Sequence, residues 1–221
     1  MAEPNVTPQS TPHGTASGGP VYRVCTPRIL LRAWEVDDAP ALGRAIEESL
    51  EHLRAWMDWA VHEPSALPDV EARIAQYNDD VRHGRDWTFG LFDPERGEVL
   101  GGMGMHPRIG PGGLEIGYWV HVRHTGRGLA AEAASALTRV GFELLGAERI
   151  EIRCDPENVR SAAIPRKLGY RHGTTLERNA LTPDGRPRDT MVWALGREEY
   201  AGSGAARVAT EAYDPEGARL M

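Results

Sequence analysis

The sequence predicts a single mixed α/β (α+β) domain, in which a central, mostly antiparallel sheet is flanked by helices. Two observations carry that expectation. Strand-type and helix-type hydrophobic patterns follow one another in the order β-α-α-β-β-β-α-β-α-β-β. Three of the strands come in immediate succession across short turns, and the chain closes on a further hairpin, so neighbours pair back on each other. At 221 residues with no internal repeat, the chain suits one domain with ragged ends.

In chain order, Arg28-Ile-Leu-Leu-Arg-Ala33 is a short β-type run, and Asp37 or Asp38 then opens a helix through Glu51. Leu53 to Trp59 is dense in large apolar side chains but falls between helices. The spacing of Val70, Ile74, Tyr77 and Val81 predicts a second helix from about Asp69 to His83. Trp87 to Phe92 reads as a strand, Asp93-Pro-Glu-Arg-Gly97 supplies turn chemistry, and Val99 to His106 pairs back. After the Gly110-Pro-Gly-Gly113 turn comes a third strand, Leu114 to Val120, in which Gly117 signals a bulge or a close ligand approach. Leu129 to Leu145 is the clearest helix, with Leu129, Ala133, Leu137, Val140 and Leu144 at helical spacing. A short strand, Ile150 to Arg153, leads to a helix over Asn158 to Lys167, capped by Asn158 and ended before Gly169. Pro165 removes the N–H that bonds the Ser161 carbonyl, which predicts a kink or an opening. Leu181 to Arg186 is a hairpin turn and Thr190 to Leu195 the returning strand.

The ends differ in composition from this body. Residues 1–20 are rich in Pro, Ser, Thr and Gly without a large apolar run, and read as disordered. The folded domain is expected over 21–200, with 201–221, rich in Ala, Gly and Glu, as a weakly ordered tail. A net charge of −7 argues against nucleic acid as a partner. Two cysteines give no disulfide framework, and no run of about 18 apolar residues offers a membrane span. A cytoplasmic, soluble protein is expected. Cys154 reads as a buried strand residue, and His52, His62, His106, His121 and His124 lack paired metal-ligand spacing, so no metal is assigned.

The chemistry concentrates where the third strand runs into Arg123-His-Thr-Gly126-Arg-Gly128 and the long helix that begins Leu129-Ala130. Two glycines let backbone N–H groups turn inward, the helix N-terminus adds partial positive charge, and Arg123 and Arg127 offer charge-assisted hydrogen bonds. His124 and Thr125 lie in the same loop. This is an anion site of pyrophosphate type. It is not Walker A, since no Gly-Lys-Ser/Thr follows, nor a Gly-x-Gly-x-x-Gly dinucleotide turn.

Together with Asn158-Val-Arg160-Ser161 and Lys167-Leu-Gly-Tyr170, this loop resembles the GNAT acetyltransferase superfamily, and more closely its RimJ/RimL-like branch. Glu115-Ile-Gly-Tyr-Trp119, Leu53-Arg-Ala-Trp56-Met-Asp-Trp59, Asp189-Thr-Met191 and Arg197-Glu-Glu-Tyr200 support the branch, and the resemblance spans roughly Pro27 to Tyr200. It implies a GNAT-like domain and an acetyl-CoA-dependent transfer of acetyl to a primary amine, either a protein N-terminus or a small amine, within a ternary complex. Arg123 through Ala130 then bind the coenzyme-A pyrophosphate. Asn158, Arg160, Ser161 and Lys167 belong to the block along the pantetheine arm, and backbone N–H groups near Trp119 and Val120 hold the thioester carbonyl. Glu115 is expected to take the amine's proton through a water, and Ser161 to serve the departing thiolate. Trp56, Trp59 and Glu115 are expected around the acceptor. The branch also implies a homodimer.

One position departs from the family. Where some members carry a catalytic glutamate on the strand after Gly169-Tyr170, this chain has Ala180; Glu177, three residues earlier, falls on the opposite face of an extended strand. A non-catalytic acyl-CoA-binding protein is therefore the alternative reading.

Overall fold

The computed structural model describes residues 20–182 and 185–221. The segment expected to be disordered lies outside the described residues except for Pro20, as do Pro183 and Asp184 of the expected hairpin turn. Among the described residues nine strands form one sheet: β1 Arg23–Cys25, β2 Leu30–Ala33, β3 Trp87–Phe92, β4 Val99–His106, β5 Gly113–Val120, β6 Arg149–Cys154, β7 Arg171–Leu181, β8 Pro187–Gly196 and β9 Glu211–Tyr213. Their order is β7-β8-β6-β5-β4-β3-β2-β1-β9. The β5–β6 pair alone is parallel, because α3 (Leu129–Glu143) carries the chain across between them. The remaining helices are α1 (Ala39–Arg54), α2 (Leu67–Arg82), α4 (Val159–Leu168) and the single turn α5 (Arg197–Tyr200).

Helices cover both faces, and the strand period of two sorts the side chains between them. Met103, Met105 and Ile116 join Leu137, Val140 and Ile150 in the core under α3. Gly102, Gly104 and His106, the alternate residues of β4, face Leu42, Ile46 and Tyr77 of α1 and α2 across a cleft. A second core there packs Trp34 and Phe92, ring centroids 5.2 Å apart, against Leu42, Ile46 and Ile74.

Three expectations are corrected. Residues 201–221 are no loose tail: β9 adds to the sheet edge at β1, Ala205 and Ala212 are fully buried, and Ser135 Oγ donates to the Ala205 carbonyl at 2.8 Å. Small residues hid this, since three alternating positions carry no hydrophobic pattern. β1 escaped notice for the same brevity. Gly117 forms no bulge; the β4–β5 register is continuous from Gly101↔Val120 to His106↔Glu115. Helix α4 spans Val159–Leu168 with the buried Pro165 inside it. Past Leu176 the β7 ladder is broken until Ala180, with Arg178 at φ 48°, so exposed Glu177 sits in an irregular stretch instead of an extended one.

Candidate active site

The loop after β5 is shaped by its glycines. Gly126 and Gly128 have φ of 75° and 78°, conformations that L side chains resist, and Gly128 is the N-cap of α3. A Cβ on Gly126 would meet nothing within 4 Å. The N–H groups of Thr125 to Gly128 find no acceptor among the described residues, and those of Leu129 and Ala130 are free by their place in the first helical turn. The loop is thus a concave set of donors at a helix N-terminus, which fits a pyrophosphate.

Side chains fix that shape from behind. His121 Nδ1 accepts from the Arg123 N–H at 3.1 Å, Ser49 Oγ of α1 accepts from the Val122 N–H at 3.1 Å, and Thr125 Oγ1 donates to the Val122 carbonyl. Burial first, and the Arg123 charge second, hold the His121 imidazole below the ordinary histidine range. Arg123 pairs with Glu48 of α1, and Arg127 donates to the Arg123 carbonyl at 3.0 Å. Arg28, which sequence reasoning missed, donates to the Arg127 carbonyl at 3.0 Å and to Glu132 of α3 at 2.6 Å; Thr26 Oγ1 reaches the same carboxylate at 2.6 Å. The position of His124 is a correction. Its ring is buried and turned to Glu98 at 3.1 Å, and its N–H bonds the His121 carbonyl, so these contacts serve the loop's shape.

Beyond Ile116 and Ile152 the parallel partner ends, and β5 continues with β4 alone on one edge. Gly117 to Val120 therefore leave the β6 side open by strand divergence, not by a glycine irregularity. Across that opening Tyr118 reaches α4. Its hydroxyl lies 3.1 Å from Ser161 Oγ and 3.3 Å from the Ser161 carbonyl, which Pro165 leaves without a helical partner. Burial raises the Tyr118 pKa well above the tyrosine range, so the hydroxyl keeps its proton. Asn158 Oδ1 caps α4 through the Ser161 N–H at 3.1 Å. Arg160 is exposed on the first turn, and its charge adds to burial in lowering the pKa of His52 on α1. Lys167 is exposed in the last turn of α4. Neither cation has an ion-pair partner among the described residues. Burial raises the pKa of Cys154 at the end of β6, so its thiol is held protonated.

Glu115 stands on β5 as expected, but with partners the sequence did not announce. It is buried, held by Arg108 at 2.5 and 3.1 Å, with Arg153 at 3.6 Å. Arg153 and Arg149 in turn hold Glu151, so Glu115 is one link in a row of ion pairs across β5 and β6. Both of the Glu115 oxygens are thereby committed to arginine.

The open side of β4 and β5 is a cleft of about 610 Å³ roofed by α1 and α2, with Gly117, Tyr118 and Trp119 of β5 among its lining residues. Trp59 and Trp119 meet edge to face in its wall, centroids 6.3 Å apart. Trp119 lines this cleft with its indole as well as offering backbone to the strand opening; its Nε1 lies 2.5 Å from where a Cβ of Gly102 would stand. Trp56 is a correction: it is absent from the cleft wall, and its carbonyl accepts from Arg188 at 3.3 Å. His106 also lines the cleft, with Nδ1 2.7 Å from Asp86 Oδ2 while Thr88 Oγ1 donates to Asp86 Oδ1 at 3.1 Å. The signal for it was weak, a lone histidine at a strand end, twenty residues from its partner.

Residues 28–171 match the family model of the acetyltransferase (GNAT) domain. N-acetyltransferase p20 of Bacillus licheniformis is 32% identical, over 80% of this chain and 97% of that protein. The [ribosomal protein uS5]-alanine N-acetyltransferase of Escherichia coli is 27% identical over 85% and 97%. Among solved structures, Mycobacterium smegmatis RimJ in complex with CoA-disulfide superposes with a TM-score of 0.72 at 29% identity, covering 85% of this chain and 91% of that one.

Proposed function

Since the chain belongs to the GNAT acetyltransferase family, we propose that it moves an acetyl group from acetyl-CoA directly to a primary amine, in a ternary complex, with a peptide N-terminus or a small amine as acceptor. One observation carries this reading: the stretch of β5 without a β6 partner, Gly117 to Val120, runs directly into the cofactor-type loop, and three of its residues, Gly117, Tyr118 and Trp119, line the acceptor-type cleft. A cofactor held by the loop and an acceptor held by the cleft meet there without a covalent enzyme intermediate, and Cys154, whose thiol stays protonated, is unsuited to provide one. Bound acetyl-CoA supplies an activated acyl group as a thioester. The N–H groups of Thr125 to Ala130 and the Arg127 guanidinium are the chain's holders for its pyrophosphate. Asn158 and Ser161 stand beside the strand opening that would receive its arm.

The chain's own groups supply the rest. Backbone donors at the free edge of Gly117 to Val120 suit the carbonyl oxygen as charge develops on it. The Tyr118–Ser161 hydroxyl pair is the protonated group next to that edge, and gives the departing sulfur its proton. An intact donor pair disfavours the non-catalytic alternative. The uS5 relative is named for an alanine of a ribosomal protein, which supports the peptide acceptor here. An α-amine, which ordinarily titrates at about 7.7–8.0, also costs less to deprotonate than a lysine at about 10.4. The deciding experiment measures thiol release from acetyl-CoA against a panel of peptides with free N-termini, polyamines, aminoglycosides and amino acids. Release that depends on a peptide or small primary amine is expected; no release above the hydrolytic background with any amine refutes the reading.

A further inference from the structure

We infer that His106 takes the proton from the acceptor amine, and that Asp86 is the residue that positions it. This rests on the acyl-transfer reading above and names the base that reading leaves open once Glu115 is committed to Arg108. The placement is specific. Asp86 Oδ2, 2.7 Å from Nδ1, fixes the tautomer with hydrogen on Nδ1, which leaves the Nε2 lone pair free; Nε2 has no protein partner among the described residues. Thr88 holds the other Asp86 oxygen at 3.1 Å.

The ring lies along the sheet surface because the sheet is bare beneath it. Gly104 of β4 pairs with Gly117 of β5. A Cβ on Gly104 would stand 2.3 Å from Nε2, and one on Gly117 would stand 4.0 Å from it. Any side chain at Gly104 would therefore expel the imidazole. Two facing glycines in adjacent strands weaken a sheet, and here they make the space that brings Nε2 to the cleft side of Gly117. Tyr118, the next residue, points to the other face. A thioester in the opening at the edge of β5 thus has a proton acceptor on one face and a proton donor on the other.

Other charged groups leave His106 as the base. Glu115, its cross-strand neighbour, is neutralised by Arg108 and Arg153. Arg73 of α2 reaches the cleft but pairs with Glu63 at 2.7 Å, and Asp80 of α2 pairs with Arg85 at 2.7 Å. The ammonium of the acceptor gives one proton to Nε2, directly or through a water. The free amine nitrogen forms the C–N bond to the acetyl carbon as the C–S bond breaks. The sulfur takes a proton from the Tyr118–Ser161 pair, and the proton remaining on the new amide nitrogen's cationic form returns to that pair through solvent.

The test combines kinetics with two readouts that need no turnover. His106→Ala and His106→Gln should each lower kcat by about 10²–10⁴-fold at saturating amine. The calorimetric affinity for coenzyme A and the melting temperature in its presence should stay near wild type, since His106 is remote from the loop. Free imidazole should restore part of the His106→Ala rate, because the vacated space opens on the cleft, and should not help His106→Gln, where the space is filled. In nitrogen-15 spectra of histidine-labelled protein, one imidazole with hydrogen on Nδ1 should lose that state in Asp86→Asn. A His106→Ala enzyme with wild-type kcat, or a tautomer unchanged in Asp86→Asn, overturns the assignment alone. A wild-type chain that releases no thiol with any amine overturns the acyl-transfer reading and this assignment with it.

Discussion

The Tyr118 hydroxyl sits 3.3 Å from the Ser161 carbonyl and 3.1 Å from the Ser161 hydroxyl. The carbonyl is available because the residue four positions on, Pro165, has no N–H to give it. A proline that looks like a flaw in α4 therefore builds the contact between helix and strand at the point where the sulfur would leave.

The two hydroxyls should not be equal in effect. In Ser161→Ala the Tyr118 hydroxyl keeps the Ser161 carbonyl as an acceptor, and turnover should fall only several-fold. Tyr118→Phe removes the buried donor itself and should lower kcat by about 10²-fold, the lower end of general acid catalysis. Coenzyme-A affinity, measured by calorimetry, should change little in either. A Ser161→Ala loss larger than that of Tyr118→Phe would reverse the assignment of the donor. Pro165→Ala returns an N–H to the Ser161 carbonyl and should give a smaller defect of the Tyr118→Phe kind.

Gly126 separates backbone strain from ligand exclusion. With φ at 75° and nothing within 4 Å of a Cβ, Gly126→Ala should fold and cost about 1–2 kcal/mol from the left-handed backbone. Gly126→Asp adds a carboxylate at the donor nest and should abolish coenzyme-A binding while melting near the alanine variant. Calorimetry and thermal melting of the pair check this; equal affinities for Asp and Ala would move the pyrophosphate elsewhere.

The loop should also weaken in acid through His121. Its Nδ1 accepts the Arg123 N–H, so protonation destroys the bond. Burial and the Arg123 charge, partly opposed by Glu48, lower its folded pKa beneath the unfolded value of about 6.5. The unfolded chain then binds more protons in the window below about 6.5, and stability falls as pH drops from that value through the folded pKa. His121→Asn, which keeps an acceptor but cannot protonate, should show a flatter melting temperature between about pH 7 and 5. A wild-type profile as flat as the variant's would remove His121 from the acid response.

The sequence was most legible where a pattern is long or a residue has few conformational options. β3 and β4 fall where their periodicity placed them, and the Gly126–Gly128 loop, the Asn158 cap and the Gly169 end of α4 follow from local chemistry. For Glu115 the strand position was readable while Arg108 and Arg153, which hold it, were not. The His106–Asp86 contact needs the β3–β4 register, and nothing local to either residue announces it. Trp56 and Trp59, three apart in a turn between helices, point differently for the same reason.

The C-terminal residues give the sharpest contrast with the sequence expectation. A chain ending at Arg207 loses β9, and with it the ladder partners of Arg23, Val24 and Cys25. It also loses the Tyr22 N–H bond to the Tyr213 carbonyl at 2.9 Å and the packing of the Arg23 guanidinium over the Tyr213 ring at 4.2 Å. Val208, whose carbonyl accepts from Arg139 of α3 at 2.8 Å, goes as well. At about 1 kcal/mol for each net hydrogen bond, plus the buried Ala212, the loss should be about 3–5 kcal/mol. For a domain of this size that lowers the melting temperature by roughly 6–20 °C. The bare edge of β1 should also make the truncated chain self-associate, visible by light scattering. The shortened protein lacks no residue of the proposed site, so acetyl transfer at low temperature should survive wherever the fold does. A truncated chain that melts with the full-length protein would show that β9 contributes nothing and that 201–221 behave as the loose tail the composition suggested.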